Sequence, residues 1–180
     1  MKLPAIALTC LFSASFSQAA SIHNYVELGL GANKLFSFNK NTNDNLSEFS
    51  VAPSLKVLTG SRLNQSRTLW FELGYSYNGE MKYRDTKINS QSLFTGIKLS
   101  TDPAIDTSLF LRGGAGKTWT KASTLGEQDE SNQSTHYYGG AGFNYRLDYK
   151  KSVVFELQHI NDASSDEAIN GVFLSFNQFI

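Results

Sequence analysis

The sequence is poor in residues that cross-link or interrupt a chain, with one cysteine and three prolines in 180 positions. The cysteine, Cys10, lies within the apolar stretch "ALTCLF" near the N terminus. A disulfide needs two cysteines and a thiolate metal site needs several, so the sequence excludes both. No pair of His or carboxylate residues has metal-ligand spacing either. We expect no metal and no cofactor.

An excess of charge of one sign is also missing. Lys+Arg 16 balance Asp+Glu 16, which gives a formal net charge of +0. Proteins that bind nucleic acid usually show a basic excess or a basic stripe, because they neutralise phosphates. The sequence therefore predicts no nucleic-acid partner.

The chain lacks the run of about 20 apolar residues that a transmembrane helix needs. Its apolar N-terminal stretch, Leu3 to Phe16, is shorter, follows the positive Lys2 and precedes the small-residue segment Ser17-Gln18-Ala19. This pattern is typical of a secretory signal peptide cleaved after Ala19. We expect a signal peptide at residues 1–19 and one exported domain at residues 20–180.

The remaining chain is rich in alternating apolar and polar residues, as in "LWFELGYSYNGEMKY". A period of two is the signature of a β-strand, whose side chains point to opposite faces. Eight stretches show it, each near the length of a tilted transmembrane strand. They are Tyr25 to Leu35, Phe49 to Thr59, Thr68 to Tyr83, Ile88 to Ser100, Thr107 to Lys121, Thr135 to Leu147, Ser152 to Ile160 and Ala168 to Ile180.

The two faces of these strands differ in bulk. One row is large and apolar, as at Phe71, Leu73 and Tyr75, and the other is small or charged, as at Glu72 and Gly74. An eight-stranded barrel has an interior only wide enough for side chains, so the small and charged row fits inside and the bulky row faces lipid. The alternative is a soluble, lipocalin-like barrel that reverses the faces and binds a small ligand.

Charged residues on the inner row have to pair, because an unpaired ion in a poorly hydrated interior costs several kcal/mol. Such a network would close the lumen, either as a simple structural element or as a gate. The residues expected to form it are Glu27, Lys56, Glu72, Lys98, Arg112, Arg146 and Glu156.

Aromatic residues near the strand ends predict girdles at the two membrane interfaces, where an apolar ring with a polar tip is favoured. With their neighbours on the lipid-facing row they are Trp70, Phe71, Tyr75, Tyr77, Tyr83, Trp119, Tyr137, Tyr145 and Tyr149.

The connections alternate between short turns such as "DYKKS" and longer polar segments, which is the habit of outer-membrane barrels. The two longest are Phe36 to Glu48 and Ser123 to Ser134. We expect any specific binding of a host or surface ligand to lie in these external loops. The second contains Glu127, Asp129 and Glu130, which suit a basic partner or a divalent ion that bridges lipopolysaccharide, or form a plain solvated loop.

Four segments, "FELGYSYNGEM", "TSLFLRGGAGKTW", "HYYGGAGFNYRLDYKKSVVFELQ" and "NGVFLSFNQFI", resemble strands of the OmpA-type transmembrane barrel. The resemblance implies an all-β fold, an eight-stranded antiparallel up-and-down barrel inserted by the assembly machinery of the outer membrane. It implies lipid and lipopolysaccharide as neighbours, a structural or adhesion role and at most a weak or gated pore. We expect the barrel alone, without the peptidoglycan-binding domain of full-length OmpA proteins, and the last residue given is Ile180 in place of the usual aromatic.

An enzyme is the alternative from another class. Outer-membrane lipid A deacylases, which are also eight-stranded barrels, have a His followed two residues later by a Ser. Here "LQHINDASS" contains His159, but Asn161 stands in the position of that serine. A nucleophile has to lie within reach of its base, so we expect no enzyme, with His159 as the remaining candidate and Ser164 and Ser165 as distant substitutes.

Overall fold

The computed structural model describes residues 24–37, 50–83, 86–101, 106–124, 130–163 and 167–180. Within these ranges no helix is long and apolar enough to cross a membrane. The chain forms eight strands, whose bounds are β1 Asn24–Ser37, β2 Ala52–Arg62, β3 Leu69–Tyr83, β4 Thr86–Ser100, β5 Thr107–Thr124, β6 Glu130–Arg146, β7 Lys151–Asp162 and β8 Glu167–Phe179.

Each strand pairs antiparallel with the next, and β8 pairs with β1, so the sheet closes into a barrel. A closed sheet has no edge strand with unpaired backbone groups. The predicted eight-stranded antiparallel barrel is therefore confirmed.

The strand ends differ from the predictions where pairing extends beyond the apolar alternation. Strands β5 and β6 continue to the pair formed by Ala122 and Glu130, so most of the predicted loop Ser123 to Ser134 is strand. Only residues 125–129 of that loop, and residues 38–48 of the other, lie outside the described residues. Backbone hydrogen bonds between β5 and β6 extend the two strands through polar residues. Side-chain alternation does not predict this extension.

The apolar row lies on the outside of the barrel. Leu30, Leu111 and Leu174 each have 60% or more of their surface exposed, and they belong to a continuous apolar surface around the wall. A surface of this extent suits lipid. The soluble lipocalin-like barrel, which needs the opposite faces, is not supported.

Trp70 does not belong to the girdle in which it was predicted. Its side chain lies inside the lumen and is only 4% exposed. Its ring meets that of Tyr25 edge to face, with 5.1 Å between the centroids, and lies tilted against that of Phe179 at 5.9 Å. Its indole N–H donates to the Arg67 carbonyl at 2.9 Å. Because side chains alternate along β3, Trp70 shares the face of Glu72 and not that of Phe71.

The other girdle residues that can be described lie on the outer wall. Trp119, Tyr137, Tyr145 and Phe71 are exposed, and Tyr149 is exposed in a turn. Tyr75 and Tyr77 are half-buried on the outer face, where their hydroxyls bond Gln91 at 3.0 Å and Asn89 at 2.8 Å. The side chain of Tyr83 lies outside the described residues.

The lumen is packed in layers. At the end where β1 begins and β8 ends, the lumen contains the aromatic cluster of Tyr25, Trp70 and Phe179 together with Leu58. A charged layer follows, and then a layer of Asn and Ser side chains. At the opposite end Leu35, Ala52 and Met81 form an apolar cluster.

Candidate functional site

Arg112 on β5 is the centre of the charged layer. Its guanidinium Nη2 lies 3.1 Å from Glu27 Oε2, and its Nε lies 3.6 Å from Glu72 Oε2 and 3.5 Å from Glu156 Oε1. One arginine therefore contacts carboxylates from three strands, β1, β3 and β7. All four side chains have at most 1% of their surface exposed.

Lys56 on β2 completes the cluster. Its ammonium pairs with the Glu156 carboxylate and lies 3.4 Å from Glu27 Oε1. The hydroxyl of Tyr25 donates to Glu72. We call Glu27, Lys56, Glu72, Arg112 and Glu156 the plug, because these side chains cross the lumen and join five strands.

Glycines on neighbouring strands leave space for the long side chains of the plug. Lys56 is paired with Gly29, Arg112 with Gly140, and Glu156 with Gly142. A Cβ added at Gly140 would meet the Glu156 carboxylate and would lie 3.1 Å from Arg112 Cγ. Glycine lets such groups approach the backbone closely, which explains its frequency on the inner row.

Lys98 and Arg146 do not join the plug. Lys98 is buried beside it, with its ammonium 4.6 Å from the Phe110 ring centroid and 5.0 Å from that of Tyr25. This cation–π arrangement stabilises a desolvated charge. With Lys98 the charged layer has three basic side chains for its three carboxylates. Arg146 is half-buried near the end of β6 and makes no ion pair with any described residue.

A hydrogen-bonded chain of polar side chains lies between the plug and the apolar cluster of Leu35, Ala52 and Met81. The Asn78 amide donates to Ser90 at 3.1 Å and to Ser92 at 3.2 Å, and its oxygen accepts from Asn33 and Ser76. Ser92 and Thr118 lie 2.9 Å apart, as do Thr118 and His136 Nδ1. We call this set the relay, and it links β1 to β6 across the lumen.

Sequence reasoning missed Tyr25, the relay and His136. Tyr25 precedes Glu27 by two positions, so alternation on β1 places both on one face. The inner position of Asn78 follows in the same way from Glu72. Their hydrogen bonds depend on which strands meet across the lumen, and alternation carries no such information.

His159 lies on the outer wall and not in a pocket with a nucleophile. It is exposed, and its Nδ1 is 2.6 Å from Asn170 Oδ1. Asn161 is also exposed, and Ser164 and Ser165 lie outside the described residues. In the described part of the chain no cluster of three or more His, Cys, Asp or Glu side chains is arranged to hold a metal ion.

The family model of the outer membrane protein beta-barrel domain matches residues 4–179. The chain belongs to this family. Its location is the outer membrane, and the resemblance to the OmpA-type barrel is confirmed at the level of family and fold. A search of curated proteins found no match.

Solved barrels share this fold at low sequence identity. Neisserial surface protein A is 15% identical with a TM-score of 0.72, over 91% of this chain and 100% of that one. Ail, the attachment invasion locus protein of Yersinia pestis, is 14% identical with a TM-score of 0.61, over 88% and 98%, and it has also been solved with the heparin analogue sucrose octasulfate. The N-terminal barrel of Pseudomonas aeruginosa OprF is 15% identical with a TM-score of 0.59, over 86% and 98%.

Proposed function

We propose that this outer-membrane barrel has a structural role and a surface-interaction role, with binding through its external loops and not through an open pore. The observation that carries the proposal is the plug: five buried charged side chains close the lumen. A closed, rigid barrel leaves the loops as the variable part of the molecule. The names of two proteins with this fold, a surface protein and an attachment protein, favour the same role.

The expected partner is basic or is a divalent cation that bridges to an anionic surface. The segment 125–129, with the sequence "LGEQD", carries two acidic residues and no basic one. Acidic side chains repel polyanions, so the heparin analogue found with Ail is a less suitable ligand for this loop.

A loop replacement tests the interaction role. The protein is expressed in a non-adherent Gram-negative host, and residues 38–48 and 125–129 are replaced, singly and together, by short Gly-Ser segments. We expect adherence of the cells to cultured epithelial cells to fall to the level of the empty host in the double replacement. A substitution in the opposite turn, Gln65→Ala with Ser66→Ala, is the control and should leave adherence unchanged.

Gel mobility of boiled and unboiled samples shows whether each variant is folded. Adherence that persists when both loops are replaced on a folded barrel would contradict the interaction role. A wild-type protein that confers no adherence would also contradict the interaction role, and only the structural role would then remain.

The plug also permits a gate, in which rearranged ion pairs open a narrow path. Arg112→Ala removes the side chain that contacts three carboxylates, so we expect larger single-channel conductance in planar bilayers than for the wild type. Arg146→Ala, which removes the same residue type outside the plug, should not change the conductance. Bilayers that stay silent with both the wild type and Arg112→Ala would contradict the gate.

We also propose that residues 1–19 are removed as a signal peptide and that the outer-membrane assembly machinery inserts the barrel. Mass spectrometry of the protein from outer membranes should find an N terminus at Ala20.

A further inference from the structure

Four lysines lie on the outer wall at the end of the barrel that leads into the long connections, which is the external end. All four side chains are exposed. Each lysine directly follows or precedes a residue that lines the lumen, so alternation along the strand turns the lysine outward. We call them the lysine patch, and they are Lys82 on β3, Lys87 on β4, and Lys117 and Lys121 on β5.

The register of the sheet places the lysine patch at the external membrane interface. Tyr77, Gln91 and Trp119 are paired across β3, β4 and β5 and form one row of the outer wall. Tyrosine and tryptophan are typical of the interface between hydrocarbon and headgroups, so this row marks its level. Lys117 and Lys121 lie on either side of Trp119, each two residues away along β5. The patch therefore begins beside the aromatic row and extends away from the hydrocarbon.

Lys82 and Lys87 lie farther from the hydrocarbon and directly opposite each other. They pair across β3 and β4, and Lys87 also pairs with Ser123, two residues beyond Lys121. Like charges at directly opposed positions of a sheet repel each other. Glu80 Oε1 lies 3.9 Å from Lys82 Nζ and 3.7 Å from Lys87 Nζ. Two ammonium groups thus share one carboxylate, and the three side chains together keep a net positive charge.

Positive charge is concentrated on this side of the wall. Among the described outward residues at the external ends of β3 to β6, Glu80 is the one acidic residue beside the four lysines. The described outward residues at the same end of β1, β7 and β8 include one lysine, Lys34. The chain as a whole has a formal net charge of +0. The lysine patch is therefore a local feature and not part of a general basic excess.

We propose that the lysine patch binds the phosphate groups of lipopolysaccharide, the glycolipid of the outer leaflet. The patch faces the headgroup region, where these phosphates surround the barrel. Hydrogen bonds between ammonium and phosphate groups are charge-assisted, and a phosphate between Lys82 and Lys87 offsets their mutual repulsion. Lys117 lies nearest the hydrocarbon, and its long stem can place the ammonium group at headgroup level.

The site goes beyond the surface-interaction role and does not depend on it. Its ligand contacts strand residues and not the loop segments 38–48 or 125–129. Replacement of segment 125–129 by a Gly-Ser segment, which removes two acidic residues, should therefore not weaken glycolipid binding. Loss of adherence and loss of glycolipid binding are separate results.

Native mass spectrometry of the folded protein released from detergent tests the proposal with diphosphoryl lipid A as the probe. Lipid A without its two phosphate groups is the match with the same acyl chains. We expect a saturable adduct with the diphosphoryl form. Lys82→Gln with Lys87→Gln should weaken its binding about thirtyfold, the effect of two lysines near an anionic lipid surface. The same variant should leave binding of the dephosphorylated form unchanged.

Lys150→Gln with Lys151→Gln is the matched control, because these two exposed lysines lie where β7 begins, at the other end of the barrel. It should change neither titration. Lys82→Arg with Lys87→Arg keeps both charges and should retain binding of the diphosphoryl form. Equal weakening by the two glutamine double variants would overturn the proposal, and so would equal affinity of the wild type for the two lipids.

The heparin analogue sucrose octasulfate distinguishes a sulfated glycan as the occupant. We expect Lys82→Gln with Lys87→Gln to weaken lipid A binding whether or not the wild type binds this analogue. Loss of sucrose octasulfate binding in that variant, with binding of diphosphoryl lipid A unchanged, would assign the lysine patch to a sulfated glycan and would overturn the proposal.

Discussion

At the scale of single residues, Arg112 is the most connected charge in the lumen. It contacts three carboxylates that would otherwise repel one another in a dry interior, and Lys56 contacts two of them. Replacement of one partner in a buried ion pair leaves the other charge without a partner. The free-energy cost of that buried charge is larger than the free energy that the intact pair contributes. The plug therefore stabilises the barrel only while it is complete.

Arg112→Ala should lower the free energy of unfolding by about 3–5 kcal/mol, the usual cost of breaking a buried ion pair. The measurement is urea-induced unfolding in lipid vesicles, followed by tryptophan fluorescence. Arg146→Ala should lower it by less than about 1 kcal/mol, because Arg146 is half-buried and has no ion-pair partner among the described residues. Equal losses for the two variants would contradict the central place of Arg112.

At the residue scale, alternation carries the information on which face a side chain takes. Glu27 and Glu72 each lie between two apolar residues, and Arg112 lies between Leu111 and Gly113, so an inward direction follows from the pattern. The girdle prediction for Trp70 is wrong, because it rests on the position of Trp70 near a strand end and not on alternation. Phe71 faces outward, so its neighbour Trp70 faces the lumen. Arg146 does not reach the plug because it lies at the end of β6. The alternation pattern gives the face of a side chain but not its level along the lumen.

At the scale of an element, β3 contains a change of phase. The register between β3 and β4 shifts between Tyr77 and Glu80, and Gly79 within this bulge has a φ of 80°. Strict alternation from Phe71 would turn Met81 outward, but the extra residue turns it into the lumen, where it is fully buried. The packing of Met81 against Leu35 and Ala52 depends on this bulge, and alternation could not predict it.

Gly79→Ala should lower the free energy of unfolding by about 1–3 kcal/mol, since a residue with a Cβ is strained at this φ. The added Cβ would also meet the Pro53 carbonyl and lie 2.8 Å from Ala52 Cβ. Gly139→Ala is the control, because a Cβ there has no atom within 4 Å. Urea unfolding of both variants in vesicles checks the difference, and a neutral Gly79→Ala would show that the bulge tolerates a side chain.

At the scale of the whole molecule, the barrel reverses the usual distribution of polarity. Charged and small side chains fill the inside, and leucine, phenylalanine and valine cover the outside. The sequence predicts this because eight strands enclose too little space for the bulky row. The relay is not predicted, since it arises from residues of five strands whose meeting depends on the register between the strands.

The two tryptophans provide the most direct test of the central claim, that the two faces of the sheet are separated into lipid and lumen. Trp119 is 44% exposed on the outer wall and Trp70 is buried inside, and the sequence has no other tryptophan. The measurement is fluorescence quenching in vesicles whose acyl chains carry bromine near the headgroup, with Trp70→Phe and Trp119→Phe as single-tryptophan proteins. Strong quenching of Trp119 with little quenching of Trp70 is the predicted result, and strong quenching of Trp70 with little quenching of Trp119 would contradict the account.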